Sequence, residues 1–102
     1  MHPAIAQHTA EIAEICRHHR ISRLDIFGSA ARAEDFDALR SDADFLVEFA
    51  PDVLVELATF FNVKAELEKL LGRDVDLVEA GAIRNPFVLE GVYRNLESVY
   101  KA

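Results

Sequence analysis

Asp42-Ala43-Asp44 places two carboxylates two residues apart in a stretch that alternates polar and apolar side chains up to Phe49. On an extended strand such residues share a face, with Cα atoms about 6.6–6.8 Å apart. Two carboxylates held together repel, and one is driven towards protonation unless a cation lies between them. Oxygen donors of this kind suit hard divalent ions. Most Asp-x-Asp pairs are solvated strand ends. This one runs directly into the apolar Phe45-Leu46-Val47, where unpaired charge is expensive and a metal ion would offset it. A third carboxylate, Asp76, sits in Asp74-Val75-Asp76-Leu77-Val78, a second short strand pattern. If the two strands are neighbours, Asp76 completes a cluster of three. Asp74 shares its face and is the rival; its place at the strand entrance, beside Gly72 and Arg73, makes Asp76 the preferred candidate. Gly28-Ser29, between an apolar run and a short stretch of helix formers, adds an anion-binding option. Glycine permits close backbone approach, a helix N-terminus offers free N–H groups, and the serine hydroxyl can donate. Alone, a Gly-Ser pair is an ordinary turn with serine as a helix cap.

The chain that must position these groups has 102 residues, 11 Lys+Arg and 18 Asp+Glu, for a formal charge of −7. Its length fits one domain, read here as residues 1–102. Hydrophobic residues at 51% and charged residues at 28% are a globular composition. A single cysteine excludes an intrachain disulfide framework. Acidity argues against long nucleic acid as a ligand, since duplex or RNA binding needs a basic surface to displace counterions. No apolar run approaches a membrane span, and the N-terminus has neither the basic region nor the apolar core of a signal peptide. A cytoplasmic protein is the expectation.

Periodicity predicts a first helix from about Pro3 to His19, with Ile5, Ile12, Ile15 and Cys16 on one face. A strand follows over Ile21 to Phe27, then a short helix from Ala30 and a loop over Asp35 to Ser41. Asp42 to Phe49 is a half-buried strand. Pro51-Asp52 opens a long helix to about Leu71, with Leu54, Leu57, Phe61, Leu67, Leu70 and Leu71 as its apolar stripe and Gly72 as its C-cap. After the strand ending at Val78, Asn85-Pro86 starts a last helix carrying Phe87, Leu89, Val92, Leu96 and Val99, with Tyr93 and Tyr100 at its edge. The order αβαβαβα indicates a layered α/β or α+β domain with few strands. His2, His8, His18 and His19 read as surface residues, Cys16 as a core residue and Phe36 as a loop plug that could also stack on a base.

Phe27-Gly28-Ser29-x-x-Arg32, Ser41-Asp42-Ala43-Asp44-Phe45-Leu46-Val47-Glu48-Phe49 and Gly72-Arg73-Asp74-Val75-Asp76-Leu77-Val78 together resemble the minimal nucleotidyltransferases of the DNA-polymerase-beta-like superfamily. The resemblance covers nearly the whole chain, closing with Ile83-Arg84-Asn85-Pro86. It implies an α+β fold, a small mixed sheet with helices packed on one face. It implies that Asp42, Asp44 and Asp76 are catalytic and hold two Mg²⁺ ions, with Asp76 helping to deprotonate an attacking hydroxyl. Gly28 and Ser29 would hold the β- and γ-phosphates of ATP, and Arg32 would contact phosphate or the protein acceptor. The implied partner is a helical HEPN-domain toxin, for which the chain would be the antitoxin by AMP transfer to a tyrosine, alone or in a homo- or hetero-oligomer. The alternative is an antitoxin that inhibits that partner by binding alone. An acidic chain suits a basic, RNA-cutting partner. Two features depart from the family pattern: Ala33 stands where glycine is usual, and the segment from Ser29 to Asp42 is slightly longer. Nothing in this length accommodates the extra domains of a template-directed polymerase.

Overall fold

The computed structural model describes residues 3–27, 43–82, 90 and 96–102. In chain order the described elements are α1 (Pro3–Ala6), α2 (Thr9–His18), β1 (Ile21–Phe27), β2 (Ala43–Phe49), α3 (Leu57–Leu71), β3 (Val75–Glu79), a 3-10 turn (Ala80–Ala82) and β4 (Glu97–Lys101). The four strands form one mixed sheet in the order β3-β2-β1-β4. β1 is antiparallel to both β2 and β4, and β2 is parallel to β3. A parallel pair needs a crossover, and α3 provides it.

Alternation along β1, β2 and β3 sorts the sheet into two faces. Leu24, Ile26, Ala43, Phe45, Val47, Val75 and Leu77 point to one side and are buried. They meet Ile12 and Cys16 of α2 and Val63 and Leu67 of α3 in a single apolar cluster. The described helices thus cover one face of the sheet. The opposite face carries Asp25, Asp44 and Asp76, the alternate residues of the same strands.

Several expectations are corrected. The first helix is broken: α1 ends at Ala6, and α2 begins at Thr9 after His8 leaves helical geometry at φ −109°, ψ 12°. His19 is not a surface residue; its side chain is 13% exposed and meets Glu66 of α3. The long helix starts at Leu57 rather than at Pro51-Asp52. Val53 N–H donates to the Ala50 carbonyl at 3.0 Å, closing a turn. Beyond that turn Val53 and Val55 pack towards the core while Leu54 points out, which is extended alternation and not helical spacing. Leu54, Leu57 and Phe61 accordingly leave the apolar stripe; they are 84%, 73% and 51% exposed.

The predicted last helix does not extend over the C-terminal residues. Leu96 lies outside any regular element, and Val99 and Tyr100 belong to β4. The free edge of β1 presents backbone donors and acceptors that need partners, and the β-branched and aromatic pair Val99-Tyr100 supplies a strand for it. Asn85-Pro86, Phe87, Leu89, Val92 and Tyr93, like the predicted helix and loop between Ala30 and Ser41, lie outside the described residues.

Gly72 does end α3, with φ 66° and ψ 32°, its N–H donating to the Glu68 carbonyl at 2.8 Å. That left-handed geometry suits glycine. One turn earlier, Glu68 Oε2 accepts a hydrogen bond from Val75 N–H at 3.1 Å and so fixes where β3 begins.

Burial pushes the Cys16 thiol up from its ordinary 9.0 to about 12, against the weaker opposing pull of Arg17. The folded chain therefore holds this proton where the unfolded chain has released it. Stability that Cys16 contributes is complete below pH 9 and is lost as pH rises from 9 towards 12, by up to about 1.4 kcal/mol per pH unit. Urea midpoints between pH 8 and 11 test this: the fall for the wild type should be shallower in Cys16→Ala. In the folded protein the thiol should also resist alkylation at pH 8 and react at once in denaturant.

Candidate active site

β2 and β3 bring the acidic residues together through register. Ala43 pairs with Val75, Asp44 with Asp76 and Phe45 with Leu77. Neighbouring strands are about 4.8 Å apart, so in-register residues on one face hold their side chains side by side. The Ala43 N–H donates to the Asp74 carbonyl at 3.1 Å, so the pairing begins one residue before the aspartates. A slip of one residue would turn one carboxylate into the core. The apolar partners Ala43, Phe45, Val75 and Leu77, all buried, forbid that slip. Asp44 is half-buried and Asp76 exposed, so both face solvent that a ligand could displace.

Asp74, the rival to Asp76, precedes the strand and engages Ala43 through its backbone. Register therefore places Asp76 and not Asp74 directly beside Asp44. On the other side Asp44 pairs with Phe27, the last residue of β1. Gly28 and Ser29 follow that residue in sequence, but Gly28, Ser29, Arg32 and Asp42 all lie outside the described residues. Among the described residues no group of three His, Cys, Asp or Glu side chains gathers around a point. Two carboxylates in register, one half-buried and one exposed, are nonetheless the donor chemistry that a hard divalent cation takes.

Asp25 carries a signal that the sequence reading passed over. It interrupts the apolar Leu24-x-Ile26-Phe27 run, shares the face of Asp44 and is only 2% exposed. Arg23 Nε lies 2.7 Å from its Oδ2. That pairing offsets the burial of the carboxylate. Among the described residues its other oxygen, Oδ1, is buried without a hydrogen-bond partner. The recognisable cue was a charge inside an otherwise apolar strand.

The comparisons with known proteins bear on this arrangement. The profile of the polymerase beta nucleotidyltransferase family matches residues 10–102. A protein of Methanocaldococcus jannaschii assigned as a protein adenylyltransferase is 39% identical over 97 residues, covering 85% of this chain and 93% of its own length. A solved structure assigned as a minimal nucleotidyltransferase superposes with a TM-score of 0.72 at 32% identity, over 89% of this chain and 88% of that one. A chain from the complex of tri-AMPylated Shewanella oneidensis HEPN toxin with MNT antitoxin superposes with a TM-score of 0.66 at 19% identity, over 94% of this chain and 71% of that one, a likeness of fold. Among the described residues, no helix is long and apolar enough to cross a membrane.

Proposed function

The chain belongs to the polymerase beta nucleotidyltransferase family, and from that premise we propose that it transfers AMP from ATP to a protein hydroxyl, acting as a single minimal nucleotidyltransferase domain. The acceptor is a tyrosine of a HEPN-domain toxin, and the chain is that toxin's cytoplasmic antitoxin. The observation that carries the reading is the in-register pair Asp44 and Asp76 on the face of the sheet opposite α2 and α3. The adenylyltransferase assignment of the Methanocaldococcus jannaschii relative supports AMP as the group transferred. The AMPylated toxin in the Shewanella oneidensis complex supports the class of acceptor.

Asp44 and Asp76, joined by Asp42 from the residue before β2, are the groups that would hold two Mg²⁺ ions. When bound, such ions supply positive charge to the phosphate oxygens and favour the ionised acceptor. The chain's own residues do the rest. Gly28 and Ser29 bind the β- and γ-phosphates, and Arg32 contacts phosphate or the acceptor. Asp76 takes the proton of the acceptor hydroxyl. The oxygen then bonds to the α-phosphorus, the bond from that phosphorus to the bridging oxygen breaks, and pyrophosphate leaves. Rigid strands suit this role, because phosphoryl transfer depends on positioning and charge more than on covalent help from the protein.

The direct test incubates the chain with ATP labelled at the α-phosphate, Mg²⁺ and the HEPN-domain protein encoded beside it. Label should appear on the partner, and a chelator should abolish it. An unlabelled partner, with toxicity still neutralised, would replace this reading with inhibition by binding alone.

A further inference from the structure

We propose that the cleft between the start of α3 and the edge of β3 docks the protein substrate through a segment that combines apolar and basic side chains. This rests on the transfer reaction proposed above and specifies how its acceptor is held.

The cleft has a volume of about 400 Å³ and is walled by Val55, Leu57, Phe60, Leu77 and Val78. A second hollow, of about 500 Å³, adjoins it through Val55 and Glu79. Leu54, Leu57 and Phe61 stand around the α3 start at 84%, 73% and 51% exposure. Large side chains grouped in this way mark interaction surfaces, whereas scattered ones do not. Leu57 and Phe61 are four residues apart on one helix, so they share a side.

Charge selects the occupant. Glu56 and Glu79 line the first hollow and Glu48 and Glu79 the second. Among the described residues lining either one there is no lysine, arginine or histidine. A second copy of this chain, itself carrying −7, would bring glutamates against glutamates. A partner segment with apolar side chains and flanking Lys or Arg meets both the apolar floor and the acidic rim.

The cleft lies on the same strand as Asp76 but on the α3 side of the sheet and towards the Glu79 end of β3. Its wall includes Leu77 and Val78, the residues that follow Asp76 on β3. Val78 is two residues from Asp76 on the same face, about 6.6–6.8 Å along the strand. A segment seated there anchors the partner at the far end of β3, and the hydroxyl that reacts comes from a more distant part of the partner. Of the described strands, β3 lies at the edge of the sheet, where a partner chain can approach.

The test uses the intact chain and the HEPN-domain protein encoded beside it. Two double variants, Leu57→Ser with Phe61→Ser and Glu56→Lys with Glu79→Lys, change only exposed positions. Each should raise the partner's KM, and its Kd by calorimetry, about tenfold or more, with kcat and ATP affinity within twofold. Wild-type KM and Kd in both variants would overturn the docking site and leave the reaction standing. Lost binding in the variants of a wild type that binds but transfers nothing would keep the site and overturn the reaction. A wild type that neither binds nor labels the partner overturns both. A wild-type dimer that the serine variant turns into a monomer would make the occupant a second copy and overturn the proposal.

Discussion

Replacing Asp44 or Asp76 by asparagine should lower kcat for AMP transfer by about 10²–10³-fold or more, the scale on which single electrostatic contributors to a transition state act. The substitution keeps size and shape and removes one charge. Because Asp44 is half-buried and Asp76 exposed, the fold should tolerate it. In the absence of metal Asp76→Asn should even raise the melting temperature slightly, since it relieves the like charge beside Asp44 on the neighbouring strand. The wild type should gain stability on adding Mg²⁺, by about 2.7 kcal/mol at one hundred times the Kd, and the variants should lose that gain. Asp74→Asn provides the contrast: the residue lies before the strand and should transfer AMP within about twofold of the wild type. Single-turnover transfer and thermal melts with and without Mg²⁺ measure all of this. Wild-type rates in Asp44→Asn and Asp76→Asn would refute the site. A loss in Asp74→Asn equal to that in Asp76→Asn would reassign the third carboxylate.

The second large effect is on stability. Phe45→Ala should destabilise the fold by about 3–5 kcal/mol, through lost burial and the cavity left behind. Phe45 is fully buried, lies at the centre of the sheet between Ile26 of β1 and Leu77 of β3, and follows Asp44 directly. Domains of this length are stable by roughly 5–15 kcal/mol, so one substitution removes a large share. The melting temperature should fall by roughly 15 °C or more. Leu54→Ala, at 84% exposure, should change stability by no more than about 0.5 kcal/mol. Urea titrations of the two variants make the comparison. A similar small change in both would mean that the interior is not packed as described.

Strand periodicity was legible wherever one face is buried and the other is not. Ile21–Phe27, Ala43–Phe49 and Val75–Glu79 sit within a residue or two of their expected limits, because alternation over five to seven residues has one solution. Gly72 was legible as a helix end for a local reason, its access to positive φ. Helix limits were less so. Val53-Leu54-Val55 contains the same apolar residues that a helix would use, and only the turn closed by Ala50 and Val53 makes it extended. Leu57 and Phe61 were placed inside on spacing alone, but the face of α3 that meets the sheet is the one with Val63 and Leu67.

By itself, the amino-acid sequence determined the family, the three strands that alternate, and the residue types available for chemistry at Asp42, Asp44 and Asp76. Tertiary structure decided what contacts between distant segments decide. It set β2 beside β3 in the register that faces Asp44 with Asp76 and passes over Asp74. It also turned the C-terminal Glu97–Lys101 into a strand. Both follow from backbone hydrogen bonding: the unpaired edges of β1 and β2 must be satisfied, and which segment satisfies them is a property of the assembled sheet and not of any local window.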